Sequence, residues 1–154
     1  MAMNQHEPRF RPIRLEDITQ IVEIEQEVFP TPWTEEAFYH EIVNNNFAHY
    51  LVLAQDQFII GYGGLWTIID EAHVTNIAIR KAYQGKQYGK KLLSALMTHA
   101  IALGMKQITL EVRVSNYIAQ RLYESFDFRS VGVRKGYYTD NSEDALIMWA
   151  SLEE

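Results

Sequence analysis

At 154 residues and 47% hydrophobic content, the chain can bury about 70% of its unfolded surface in one core. No apolar run approaches the roughly 20 residues that span a bilayer, and the N-terminus MAMNQHEPRFRPI lacks the apolar core of a signal peptide. The absence of cysteine excludes disulfides, thiol nucleophiles and cysteine-ligated metals. A net charge of −6 argues against a nucleic-acid partner. Together these point to a single-domain cytoplasmic protein without membrane or nucleic acid as partner.

A short tail up to Pro12 leads into a first strand near Phe10 to Ile13. Asp17-Ile18-Thr19-Gln20 resembles a capping box, and Ile18, Ile21, Val22, Val28 and Phe29 follow at helical spacing. That helix must stop before Pro30, and Phe29-Pro30-Thr31-Pro32-Trp33 is a stiff connector. Thr34 caps a second helix that opens with Glu35 and Glu36 and ends at Asn44-Asn45-Asn46. A meander follows: Ala48 to Ala54, a turn, then Phe58 to Ile69. The second of these strands carries Gly61, Gly63 and Gly64, a sign of bending or close backbone approach.

Ala72 to Ile79 is the central strand. It runs into the loop Gln84-Gly85-Lys86-Gln87-Tyr88-Gly89-Lys90 and a helix from Tyr88 to Leu103 that Gly104 stops. Gln107 to Arg113 alternates, with Ile108, Leu110 and Val112 on one face and Gln107, Thr109, Glu111 and Arg113 on the other. Ser115 is expected to cap a short helix whose apolar side is Ile118, Ala119, Leu122, Tyr123 and Phe126. Phe128 to Tyr137 and Ala145 to Ala150 are the closing strands, around a polar loop from Thr139 to Asp144. The order predicts an α/β fold with a mixed, mostly antiparallel sheet and about four helices.

A strand feeding a glycine-containing loop and a helix start is an anion-binding device, because first-turn N–H groups have no intrahelical partner. From Ala72 to Leu110 there is no acidic residue, and Arg80, Lys81, Lys86, Lys90, Lys91 and Lys106 give +6, leaving −12 elsewhere. A basic island around this loop suggests a phosphate-rich ligand; a solvated basic helix face is the plain alternative. GxxxxGK[ST] and GxGxxG are both absent. His6, His40, His49, His73 and His99 show no ligand spacing, so no metal is expected.

Gln84-Gly85-Lys86-Gln87-Tyr88-Gly89 resembles the Q/R-x-x-G-x-G/A loop of the GNAT N-acetyltransferases, with Gln87 where the family has its first glycine. Asn76 to Ile79, Leu110-Glu111-Val112-Arg113, Ser115-Asn116 and Leu122-Tyr123-Glu124-Ser125 are similar to the RimI-type, ribosomal-protein alanine branch. Phe29 to Trp33 and Gly136 to Ala145 resemble it too. Phe126-Asp127-Phe128 departs from that branch's Leu-Gly-Phe, at a turn set apart from the expected chemistry.

The resemblance implies a GNAT fold over 1–154, with a central parallel strand pair that splays to admit acetyl-CoA. Backbone of Ile77, Ala78 and Ile79 would pair with the pantetheine arm. The loop Gln84 to Lys90 (Gly85, Lys86, Gln87, Tyr88, Gly89) would hold the pyrophosphate, with Gln87 taking a conformation cheap for glycine. Asn116 would bond the pantetheine region or simply start a helix. Glu111 is the implied base, direct or through water, and Tyr123 the implied acid. A glutamate leaving a strand is ordinarily just solvated, and a tyrosine on an apolar helix face just packed. Phe29, Trp33, Tyr137 and Tyr138 would line the acceptor, or pack as core aromatics. The implied reaction is direct acetylation of a protein N-terminus, above all the alanine of a small-subunit ribosomal protein. Alternatives are another amine acceptor, or a non-catalytic acyl-CoA-binding module.

Overall fold

A computed structural model describes residues 7–153. The expected tail before residue 7 therefore lies outside the described residues. The elements are β1 Arg9–Pro12, α1 Ile18–Val28, α2 Glu35–Asn44, β2 Ala48–Gln55, β3 Phe58–Ile68, β4 Glu71–Ile79, α3 Tyr88–Ala102, β5 Gln107–Arg113, α4 Tyr117–Glu124, β6 Arg129–Tyr138 and β7 Glu143–Ser151. The strands form one sheet in the order β1-β2-β3-β4-β5-β7-β6. β1–β2, β5–β7 and β6–β7 pair antiparallel. β2–β3 and β3–β4 are joined by two-residue links, which only antiparallel strands permit. β4 and β5 are the parallel pair, in register from Glu71↔Gln107 to His73↔Thr109, and β4 continues to Ile79 beyond the last pair. This is the mixed α/β architecture expected, with four α-helices among the described residues.

The chain divides into two compact units. The first takes the chain up to Leu65 with Asn76–Leu96. Its core joins Ile18, Ile21 and Ile24, one helical face of α1, to Phe38, Tyr50, Val52, Ile59, Tyr62 and Ala78. Asp17 does not cap α1 with its side chain, contrary to the capping-box reading. Its carboxylate instead accepts from the Arg14 N–H at 2.8 Å and from the Arg11 guanidinium at 2.7 and 2.9 Å. A charged, two-point partner outcompetes a helix N–H for the same oxygens. α1 ends at Val28, and Phe29 is extended as Pro30 requires. Thr34 caps α2 as read, its Oγ1 accepting from the Ala37 N–H at 3.1 Å.

Gly61 and Gly63 are there because neighbours leave no room. A Cβ on Gly61 would sit 2.6 Å from the Ala78 carbonyl oxygen, and one on Gly63 2.7 Å from Leu96 Cδ1.

The second unit takes Trp66–Thr75 and the chain from Met97 onward. β5 alternates as read, with Ile108, Leu110 and Val112 buried. α4 corrects two expectations. Its cap is Asn116, whose Oδ1 accepts from the Ala119 N–H at 3.1 Å, not Ser115. Ile118, expected on the apolar side, is 85% exposed. With the helix starting one residue later than read, Ile118 sits in the first turn, where nothing covers it. α4 ends in a Schellman motif: Phe128 N–H bonds the Tyr123 carbonyl and Asp127 N–H that of Glu124.

Candidate active site

In the first unit, β4 delivers the chain into a loop with two left-handed residues, Gly85 (φ 78°) and Gln87 (φ 67°). Gln87 thus adopts the glycine-like conformation expected of it. Its carbonyl accepts from the Lys91 N–H at 3.1 Å, which makes it the cap of α3. The N–H groups of Tyr88, Gly89 and Lys90, in the first turn, have no helical acceptor and carry the dipole's positive end. Gln84 ties the loop back to the strand, its side chain donating to the Ile79 carbonyl at 2.9 Å. Lys86 lies over Tyr83 and Lys91 over Tyr88. A Cβ at Gly85 or Gly89 would meet nothing within 4 Å, so protein packing does not account for Gly89. A bare, cationic, donor-lined loop of this kind suits an anion.

Ile77, Ala78 and Ile79 close β4. Just before them, Asn76 joins a buried cluster with Glu25 and Tyr62. Tyr62 Oη donates to Glu25 Oε2. Asn76 Nδ2 is 3.4 Å from that oxygen and 3.4 Å from Tyr62 Oη. Burial, then the neighbouring Glu25 carboxylate, raises the Tyr62 phenol well above its ordinary range. The other Glu25 oxygen accepts from the Trp33 N–H at 2.9 Å, so this carboxylate anchors the connector carrying Phe29 and Trp33. Phe29 packs on the core, whereas Trp33 stays 36% exposed and meets the Phe38 ring.

In the second unit, Glu111 is not solvated: its side chain is 7% exposed. Oε2 is 2.6 Å from His73 Nε2, and Oε1 is 3.6 Å from Arg134 Nε. Tyr123 is packed against Phe128 with ring centroids 5.8 Å apart, and burial pushes its phenol up to about 12. It is therefore a standing O–H donor throughout the neutral range. Tyr137 and Tyr138 stack edge-to-face at 5.1 Å. Burial raises both phenols, that of Tyr138 to about 12. Arg113 braces this end of the hairpin. It lies 4.0 Å above the Tyr138 ring and bonds Asp140 at 2.9 Å and Glu143 at 3.1 Å. Glu143 also accepts from the Ser115 N–H at 2.9 Å, next to Asn116. Asn116 spends its carbonyl on the cap, which leaves its NH₂ as the donor.

Residues 18–128 match the model of the Acetyltransferase (GNAT) family. This chain belongs to the GNAT acetyltransferases. A Bacillus subtilis protein, provisionally named a ribosomal protein bS18-alanine N-acetyltransferase, is 46% identical over 144 residues, 94% of this chain and 95% of its own. The Haemophilus ducreyi protein of that name is 40% identical over 138 residues, 86% and 92% of the two chains. The crystal structure of the Escherichia coli ribosomal-protein-S18-alanine N-acetyltransferase superposes with a TM-score of 0.87 at 30% identity, covering 96% of this chain and 95% of that one.

For this acetyltransferase, sequence reasoning missed His73, Arg134 and the Glu25–Tyr62 pair. The signal for His73 was its place on the same strand face as Thr75, opposite buried Ala72 and Val74. Only the β4–β5 register, which sets His73 beside Thr109, brings it within reach of Glu111. Among the described residues there is no cluster of metal-ligating side chains, and no helix is long and apolar enough to cross a membrane.

Proposed function

We propose that this acetyltransferase moves an acetyl group from acetyl-CoA to the N-terminal α-amine of a protein, with the N-terminal alanine of a small-subunit ribosomal protein as its acceptor. Carrying this reading is near full-length identity to relatives named for that reaction, 40% for the Haemophilus ducreyi enzyme. We assign the work to the cytoplasm and to the whole chain acting as one catalytic domain.

Acetyl-CoA supplies the acetyl group as a thioester, from which the amine nitrogen displaces the thiolate. Backbone N–H groups from Gly85 to Lys90 suit its pyrophosphate, since the Gln84–Lys90 loop is bare and cationic. The edge of Ile77, Ala78 and Ile79 suits its pantetheine amides, and the Asn116 NH₂ adds a donor. Glu111 takes the proton of the amine. Tyr123 donates to the departing sulfur. Burial raises its phenol to about 12, so Tyr123 keeps its proton and can donate as the C–S bond breaks. Phe29 and Trp33 in the first unit, and Tyr137 and Tyr138 in the second, are the residues assigned to the acceptor. No metal has a role.

The test is acetyl transfer to peptides beginning with Ala, Ser, Gly or Met, with Tyr123→Phe alongside. Preference for the Ala-start peptide, reduced at least about tenfold by the mutation, is the expected result. Acetyl-CoA binding without transfer to any peptide overturns the acceptor assignment, and undiminished transfer by Tyr123→Phe removes Tyr123 from the chemistry.

A further inference from the structure

In the first unit, α1 has a second face. Ile18, Ile21 and Ile24 turn into the core, while Gln20, Glu23 and Glu27 follow at helical spacing along a polar stripe. That stripe meets the chain where β4 ends. Arg80 Nε donates to the Ile59 carbonyl at 2.6 Å, and Nη2 lies 3.3 Å from Gln20 Oε1 and 3.2 Å from Glu23 Oε1. Gln20 Oε1 also accepts from the Ile59 N–H at 2.8 Å, and the guanidinium lies 4.7 Å above the Phe58 ring. One turn further along the helix, Glu27 Oε1 accepts from the Lys81 N–H.

These bonds fix the root of the Gln84–Lys90 loop. From Arg80 the chain makes a tight helical turn, with the Tyr83 N–H on the Arg80 carbonyl at 2.9 Å and the Gln84 N–H on that of Lys81 at 3.3 Å. The Gln84 side chain then returns to the Ile79 carbonyl at 2.9 Å. Lys81 to Gln84 is thus a short strut, and all of these bonds lie upstream of Gly85. At its glycines the loop packs on nothing: a Cβ at Gly85 or Gly89 would meet no atom within 4 Å. Its position is therefore set at its two ends. One end is α3, where Leu92, Leu93 and Leu96 are buried; the other is the strut. Donors for an anion must be in place before it arrives, because ordering a loose loop on binding costs affinity. The Glu23–Arg80 ion pair adds little to this, since the Glu23 side chain is 56% exposed. Glu27 acts on the main chain of the strut itself.

We propose that Glu27 is a positioning residue for acetyl-CoA: by holding the Lys81 N–H it sets the backbone donors of Gly85 to Lys90 for the pyrophosphate. It touches neither cofactor nor acceptor and acts only through the strut. What matters is the acceptor oxygen it offers, not its charge. The inference rests on the assignment of this loop to the pyrophosphate of acetyl-CoA.

The experiment compares the whole chain as wild type, Glu27→Gln and Glu27→Ala. It measures CoA binding by calorimetry, then KM for acetyl-CoA, KM for an Ala-start peptide and kcat, with urea unfolding alongside. Glu27→Ala removes the acceptor. It should weaken CoA binding and raise KM for acetyl-CoA at least about fivefold, as loss of one hydrogen bond to a charged group does. Peptide KM should stay within about twofold of wild type. Glu27→Gln keeps a carbonyl oxygen for the Lys81 N–H and should hold CoA within about twofold of wild type. Destabilisation alone gives a different pattern: it lowers the active fraction, and so the apparent kcat, and leaves both KM values in place. Unchanged CoA affinity in Glu27→Ala, or an equal loss in Glu27→Ala and Glu27→Gln, overturns the positioning role. A wild type that binds no CoA overturns the assignment of the loop itself, so the two failures are distinguishable.

Discussion

Phe128 holds Tyr123 twice: its N–H bonds the Tyr123 carbonyl at 3.1 Å and its ring packs on the phenol at 5.8 Å. The residue between the last turn and Phe128 is Asp127, in the left-handed region at φ 66°. The sequence sets Asp127 apart from the chemistry, yet its backbone conformation aims Phe128 at Tyr123. Left-handed backbone costs an ordinary residue about 1–2 kcal/mol, and glycine at such a site gives back part of that gain as unfolded-chain entropy. Asp127→Gly should therefore be neutral to stabilising by under about 1 kcal/mol. Asp127→Val should lose about 1–2 kcal/mol and slow acetyl transfer by loosening Tyr123. Urea unfolding read beside kcat checks both.

Gly61 carries a second prediction. An added methyl would press on the Ala78 carbonyl at 2.6 Å, a backbone atom that cannot swing aside. Gly61→Ala should destabilise by about 1–3 kcal/mol, as overpacking does. Because Ala78 is in the strand edge assigned to the pantetheine arm, KM for acetyl-CoA should rise more than KM for peptide. Equal changes in the two constants would detach Ala78 from cofactor binding.

Tyr62 and Glu25 make a third. Tyr62→Phe leaves the buried Glu25 oxygen without its phenol donor, a loss of about 1–3 kcal/mol. Glu25→Ala also frees the Trp33 N–H, so it should destabilise more and shift the fluorescence of Trp33 toward that of a solvated indole. A Glu25→Ala protein with wild-type unfolding midpoint and emission would deny the anchor.

Acid should release the β6–β7 hairpin end before the core. Hydrogen bonds from Ser115, aided by Arg113 and Asn141, lower Glu143 from 4.5 to about 2. A carboxyl lowered in the folded state contributes stability above its unfolded value, and that contribution is lost as pH falls through the folded one. Protection of the amides at Ser115 and in the hairpin, measured relative to unstructured chain at the same pH, should therefore fall between about pH 4.5 and about pH 2. In Glu143→Gln that protection should be low already and lack the acid-induced step.

What the sequence determined by itself was local. The limits of β5 and the start of α3, the Thr34 cap and the stop at Pro30 all follow from periodicity, capping chemistry and backbone sterics over a few residues, and the left-handed demand on Gln87 followed from the resemblance of its loop to the family's. Whether Glu111 was solvated, where the Asp17 carboxylate turned, and that His73 meets Glu111 were decided by the tertiary structure. Each depends on which distant side chain competes for an oxygen. The parallel register of β4 and β5 placed His73 beside Thr109 and so within reach of Glu111, and no spacing along one strand records its register against another.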